Sequence, residues 1–579
     1  MLEFIQLLNQ RYHLLLNQRG HEVDSLSYQQ RIDQLILTEA FLRKGQWLTA
    51  APAQPLQIAV IGPTQAGKST LVNVLLKHDF ADVSPLAGHT VHAQGFCLGI
   101  NALDCQDLQR YFGRFQQLQK ADLSRERFDC YSLTDITEDI PYLPSGVLWD
   151  TPDFDSIDAT DYKEGVIRAI ALADIIVLVV SKEKYADQSV WDMMAALEPL
   201  HQPTVICLNK LNAGYESVLI GSLKEKWQLT RSDKFPEVVP LLYQRQTTVP
   251  DWPENQRDLL SILARKVDPK KQARFEQDLI KKYWQDWLAP VIAEHQAAQV
   301  WQGLVDSAIK QALENYQRDY LNHPRHYETF QQALAELLIL LEIPGIAGIL
   351  TGARKVLTWP FRKMMTLGRK RQHIADSSHE LVLLNQIAEH LIIQLTDQLM
   401  DKVEEAQQRT WWKDLNSVLR RKRENVLQEF SANAVKYHVN FQQNVEETAG
   451  QLYHKLQEQP FVLNSLRATR VTADAAAIAL TLHMGGIGVH DLIFAPAMLT
   501  ITTLLTESAM GSYLHKVELD LKSQQLNAVN QALFLGCLGK LLSNLPEQLS
   551  TMNHFNISAP QLKAVEQQLI EKRHGLRLL

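Results

Sequence analysis

Cysteine is scarce in this chain. Five occur in 579 residues, Cys97, Cys105, Cys130, Cys207 and Cys537, without the close pairs of a zinc site or the even count of a disulfide framework. That pattern predicts a reducing, cytosol-facing location. Excess basic charge is lacking too. The net charge is −7, so bulk electrostatics does not suggest a nucleic-acid partner, and none is expected. The start, Met1-Leu2-Glu3-Phe4, has neither the basic residues nor the apolar core of a signal peptide. Repeats and low-complexity tracts are missing. What is present is ordinary globular composition, 46% hydrophobic and 21% charged, in a chain long enough for two to four domains.

The most informative stretch is Gln57-Ile58-Ala59-Val60-Ile61-Gly62-Pro63-Thr64-Gln65-Ala66-Gly67-Lys68-Ser69-Thr70. An apolar run of strand character feeds G-x-x-x-x-G-K-S, the pattern of a phosphate-binding loop. Gly62 and Gly67 let the backbone turn tightly and bring N–H groups onto phosphate oxygens. A helix starting near Gly67 adds its positive end to the same anion. Lys68 is expected on the β- and γ-phosphates and the Ser69 hydroxyl on Mg²⁺. A chance match in a glycine-containing loop is the plainer reading. The strand before the motif and the helical Leu71-Val72-Asn73-Val74-Leu75-Leu76 after it weigh against that.

Around the loop the chain divides in three. Residues 1–55 carry apolar residues at helical spacing, with a break near Gly20, and are expected to pack on the helical domain. Residues 56–265 alternate β-rich runs with helical stretches. That predicts an α/β domain: a mostly parallel sheet with helices on both faces. The strand candidates are 57–61, 146–149, 174–180, 204–208 and 239–243. Residues 266–579 read as a large all-α domain. In it, Leu384, Ile387, Leu391, Leu395, Leu399 and Val403 form a stripe that reads as bundle core rather than a cofactor site.

A nucleotide hydrolase needs more than one loop. An aspartate at a strand end should hold Mg²⁺ through water, and Val147-Leu148-Trp149-Asp150 supplies Asp150. A threonine in a mobile loop should close on the γ-phosphate and Mg²⁺, and Thr90 in Ser84–Val91 is the candidate. A strand ending in Asn209-Lys210-Leu211-Asn212 could read the base. In the order and spacing of these motifs, residues 56–265 resemble the P-loop GTPases of the translation-factor-related class. The resemblance implies GTP/GDP and Mg²⁺ as ligands, with Asn209 and Lys210 holding the guanine. Asn212 stands where that family has an aspartate. Its neutral amide accepts without charge assistance, which leaves an ATPase open as an alternative. Asp153 stands where the family has a glycine, and its charge is expected to point away from phosphate or toward metal or water. Phe154 follows in place of a water-orienting glutamine. A hydrophobic residue there is similar to the dynamin-like and Era-like subgroup, which implies Gln65 as a water-positioning candidate and a homodimer through the heads.

Two apolar segments interrupt the helical half, 337–353 and 475–506. The first is followed by seven basic residues between Arg354 and Arg371. An apolar wedge beside a basic flank reads as an anchor on an anionic membrane surface. A head, long helices and apolar segments loosely resemble the layout of bacterial dynamin-like proteins. The competing reading buries both segments in an all-α domain. The expectation is a GTPase acting as a Mg²⁺-dependent switch, peripheral on the inner membrane face. The alternatives are a soluble regulatory GTPase binding a protein partner, and a switch that binds without turnover.

Overall fold

In the computed structural model the described residues are 1–19, 25–50, 54–84, 89–155, 159–211, 214–242, 252–323, 379–405, 409–458 and 511–575. The apolar segments 337–353 and 475–506, the basic run to residue 371, and Asn212 lie outside them. The chain forms two compact units, Met1–Ile292 with Ser550–Leu579, and Ala293–Leu549.

The first unit is built on a sheet that has eight strands among the described residues. They are β1 (Leu56–Ile61), β2 (Ala93–Leu98), β3 (Gln116–Leu118), β4 (Cys130–Ile136), β5 (Gly146–Asp150), β6 (Ile175–Ser181), β7 (Thr204–Leu211) and β8 (Glu237–Leu242). Their order is β3-β4-β2-β5-β1-β6-β7-β8. Only β2 and β5 pair antiparallel. Central strands such as Ile175–Ser181 are buried throughout, as a sheet covered on both faces requires.

Alternate residues feed two cores. Ile58, Val60, Phe96, Leu148 and Val177 pack with Leu71 and Leu75 of α3 (Lys68–Leu76). Ala59, Ile61, Trp149, Leu178 and Ile206 pack on the other side with Ile167 and Ile170 of α5 (Ala159–Leu172). Strands β1, β5, β6, β7 and β8 are the five expected. Strands β2, β3 and β4 were not anticipated, because their sequences mix Gln, Ser, Thr and Gly with few branched residues. Gly95 in β2 is required by space, since a Cβ there would lie 2.7 Å from Leu133 and 2.9 Å from Val147.

The N-terminal helices α1 (Leu2–Arg19) and α2 (Ser25–Ala50) belong to this same unit. Lys44 of α2 donates to Ala173 O at 2.7 Å and pairs with Asp174 at 2.7 Å. Glu39 pairs with Arg168 of α5 at 3.4 Å. Tyr12 donates to Trp287 O at 2.8 Å in the first part of α9 (Gln272–Tyr316). The sequence pattern predicts a boundary at 265/266 and residues 1–55 packed on the helical domain. The compact units divide at 292/293, and the N-terminal helices share the core of the sheet domain. The amphipathic faces were visible, but the long-range partners that cover them were not.

The second unit contains the rest of α9 with α10 (His379–Glu405), α11 (Arg409–Gln457) and α12 (Gly511–Val529). Leu384, Leu391, Leu395 and Leu399 of the stripe are buried with Trp412, Leu415, Phe430 and Leu533 in one core. No helix among the described residues is long and apolar enough to cross a membrane.

Candidate functional site

The carboxyl edge of the sheet assembles the site, where ligands sit in parallel α/β folds. Val60 is in register with Asp150, and Ser181 with Asn209, so residues 62, 150 and 209 emerge together. Between β1 and α3 the loop Gly62–Gly67 folds over. A Cβ on Gly62 would collide with Val179 O, and one on Gly67 with the Asn209 amide. Gly67 also sits at φ 95°, which favours glycine. Gln65 holds φ 60° without being glycine, a local strain of the kind found at functional loops. Pro63 and Ala66 are buried, Thr64, Gly67, Ser69 and Thr70 half-buried, and Gln65 exposed.

Ser69 donates its hydroxyl to Asp150 Oδ2 at 2.7 Å. Asp150 is 1% exposed, and among the described residues its Oδ1 finds no hydrogen-bond partner. Burial pushes its carboxyl up to about 6, against the opposing pull of the Ser69 hydroxyl and the Lys68 charge. A buried acid with one oxygen unmet is what a cation or its water shell would satisfy. The Ser69–Asp150 pair therefore fits Mg²⁺.

Two acids of the loop after β5 close on the phosphate-binding groups. Asp153 pairs with Lys68 Nζ, which also donates to Gly62 O at 3.1 Å and Pro63 O at 3.3 Å. This corrects the expectation that Asp153 turns away or toward metal or water. The lysine is the nearest compensating charge, and pairing removes the cost of two separately buried ions. Asp155 was missed. Its Oδ1 accepts from Thr64 N at 2.5 Å and from Thr64 Oγ1 at 2.7 Å, and its Oδ2 lies 3.5 Å from Lys184. The signal was the spacing Asp150, Asp153, Asp155 in one short loop. Carboxylates thus hold a lysine and a backbone N–H that a phosphate would use. Phe154 is buried in the core.

At the other end, Asn209 Nδ2 donates to Ala66 O at 2.9 Å and its Oδ1 accepts from Lys210 N at 2.8 Å. Lys210, at φ 57°, turns its side chain back so that Nζ donates to Gln65 O at 2.8 Å. These two residues brace the phosphate loop from the end of β7. Residues 62–70, Asp150, Asn209 and Lys210 are therefore brought together. Thr90 is half-buried, and among the described residues it makes no hydrogen bond to Ser69 or Asp150.

Residues 57–210 match the family model described as 50S ribosome-binding GTPase. No curated protein matches the chain. Among solved structures, an oligomerised bacterial dynamin pair, described as a mechanism for long-range sensing and tethering of membranes, overlaps at 12% identity. The overlap covers 94% of this chain and 92% of that one, with a TM-score of 0.39. The LeoA bacterial dynamin GTPase from ETEC overlaps at 12% identity over 92% of this chain and 97% of that one, with a TM-score of 0.22. Overlaps this loose assign no property to this chain. The family match and the loop geometry agree: residues 57–210 form a P-loop GTPase domain.

Proposed function

We propose that the protein binds GTP with Mg²⁺ and hydrolyses it to GDP and phosphate as a conformational switch. The observation that carries this is Ser69 on Asp150 beside a phosphate loop, with Asp150 Oδ1 unmet. Ser69 and Asp150 would hold the Mg²⁺, with Thr90 a candidate to close on it, and the bound ion would supply charge neutralisation to the phosphates. Lys68 draws charge from the γ-phosphoryl group. Loop residues 62–67 wrap the phosphates, Thr70 extends the loop into α3, and Asn209, Lys210 and Asn212 take the guanine.

Bound γ-phosphate competes with Asp153 for Lys68 and with Asp155 for the Thr64 N–H. Release of both acids frees the loop after β5, which supplies the switch. With Phe154 in the core, Gln65, exposed in the phosphate loop, is the residue proposed to position the attacking water. A homodimer through the heads is the proposed way to complete that position. Phosphate release by wild type against Lys68→Ala tests the reaction; equal rates at high protein concentration would refute it. One observation favours a second reading, binding without appreciable turnover: Asp153 is engaged by Lys68 and Phe154 is buried in the core, so neither supplies the amide of a water-orienting glutamine.

We further propose a dynamin-like action at an anionic membrane surface through 337–371 and 475–506, on the inner face of the membrane. Its support is sequence alone, an apolar wedge followed by Arg354, Lys355, Arg362, Lys363, Arg369, Lys370 and Arg371. Flotation with vesicles containing phosphatidylserine tests it. Absence of association with GTP and with GDP alike would leave a soluble regulatory GTPase with a protein partner.

A further inference from the structure

Asp150 is not the only unmet polar group on its face of the sheet. Gln94 of β2 lies opposite Asp150 in one register and opposite Ser132 of β4 in the other. Side chains paired across neighbouring strands project from the same face. Here it is the face covered by α3, where Phe96, Leu98 and Leu148 meet Leu71 and Leu75. Ser132, Gln94 and Asp150 therefore form one row that ends at Ser69. Ser132 is fully buried and Gln94 is 8% exposed. Among the described residues, Ser132 Oγ, Gln94 Oε1 and Asp150 Oδ1 all lack a hydrogen-bond partner. Buried polar atoms are paired in most proteins, and three unmet neighbours in one row need a reason that packing does not supply. Further along the same strands the face is filled by Phe96, Leu98 and Leu148.

We propose that Gln94, backed by Ser132, is a positioning residue for the hydrated Mg²⁺. The ion keeps several of its waters, and those waters only donate. They need buried acceptors, and Asp150 offers a single free oxygen. The Gln94 amide oxygen is the next acceptor along the row. Ser132 can donate to that amide and fix its orientation, as outer-shell partners do at metal sites. The Mg²⁺ site thus extends across β5 and β2 into β4.

This inference rests on the Mg²⁺-dependent reading above, and the test separates the two. Full-length protein is loaded with a fluorescent GDP, and its release is followed at varied free Mg²⁺. Gln94→Leu, of similar volume but without an acceptor, raises the half-saturating Mg²⁺ concentration about tenfold or more. Gln94→Glu, which keeps an acceptor oxygen, stays within about threefold of wild type at pH 8, and Ser132→Ala shifts it by about threefold. A merely structural role would change melting temperature in all three variants without separating them by Mg²⁺ dependence. The inference is overturned if wild type depends on Mg²⁺ and Gln94→Leu stays within about twofold of it. Should Gln94→Leu fail to fold, an unshifted Ser132→Ala overturns it. Release from wild type that ignores Mg²⁺ would remove the Mg²⁺ reading and this inference together.

Discussion

Two buried acids, one in each unit, are handled in opposite ways. Glu380 in the helical unit is 2% exposed. It accepts from Tyr316 at 2.7 Å, Gln525 at 2.9 Å and Tyr437 at 3.3 Å, and meets His438 Nδ1 at 2.7 Å. Burial alone would raise its carboxyl. The contacts with His438, Tyr316 and Gln525 outweigh burial and hold it below the usual carboxylate range. Asp150 in the sheet domain is equally buried, but among the described residues Ser69 is its hydrogen-bond partner and its Oδ1 has none, and burial prevails. The satisfied acid ties helices together, whereas the one with an unmet oxygen fits the proposed Mg²⁺ site. Burial by itself therefore does not separate architecture from function; the hydrogen-bond inventory around the carboxylate does.

Substitutions at the two acids should part company. Glu380→Ala strands several buried donors and should cost about 3–5 kcal/mol of stability in urea unfolding, with nucleotide affinity unchanged in protein that stays folded. A loss below about 1 kcal/mol would break the contrast. Asp150→Asn should do the reverse. It removes a poorly solvated charge, so nucleotide-free stability holds or rises, while the Mg²⁺ needed to retain GDP increases about tenfold to a hundredfold. Equal Mg²⁺ dependence in variant and wild type would return Asp150 to a structural role.

Acidity sharpens the same contrast. Glu380 has a folded pKa below its unfolded value, so the folded state binds fewer protons. Its contribution is present in full above the ordinary carboxyl pKa of about 4.3 and lost as pH falls through the lower folded value. The stability gap between wild type and Glu380→Gln should therefore hold from pH 7 to about pH 5 and narrow as pH falls below about 4, and a gap that stays constant to about pH 2 would count against the network. The smallest effect concerns the latch. Asp153→Asn removes the charge paired with Lys68, proposed to compete with phosphate, and should tighten GTP by about 1 kcal/mol, near fivefold in Kd. Weaker binding by the variant would mean that Asp153 aids the phosphate rather than opposing it.

Much of the sheet domain could be read from sequence because its signals are local. The phosphate loop, Asp150 at a strand end and Asn209-Lys210 each follow an apolar run, and the family match covers the same span. Strands β2, β3 and β4 escaped because Gln94, Gly95, Gln116 and Ser132 interrupt the apolar pattern, and their places depend on partners far along the chain. For the same reason the row of Ser132, Gln94 and Asp150 was invisible. Which distant strands become neighbours is decided by tertiary pairing and does not show in local periodicity. The Lys68–Asp153 pair was legible as a conflict, a carboxylate near a phosphate site, but its resolution required three dimensions. The helical stripe at Leu384–Leu399 was legible as core because a single face of one helix carried it.

The central claim is that the loop from Gly62 to Thr70 holds a guanine nucleotide. It is tested most directly by equilibrium binding of GTP, GDP, ATP and XTP to the full chain with Mg²⁺, beside Lys68→Ala. Selective guanine binding that is lost in Lys68→Ala is the predicted result. Equal binding of ATP would show that Asn212 has relaxed the base code, and absence of binding by wild type would contradict the claim outright.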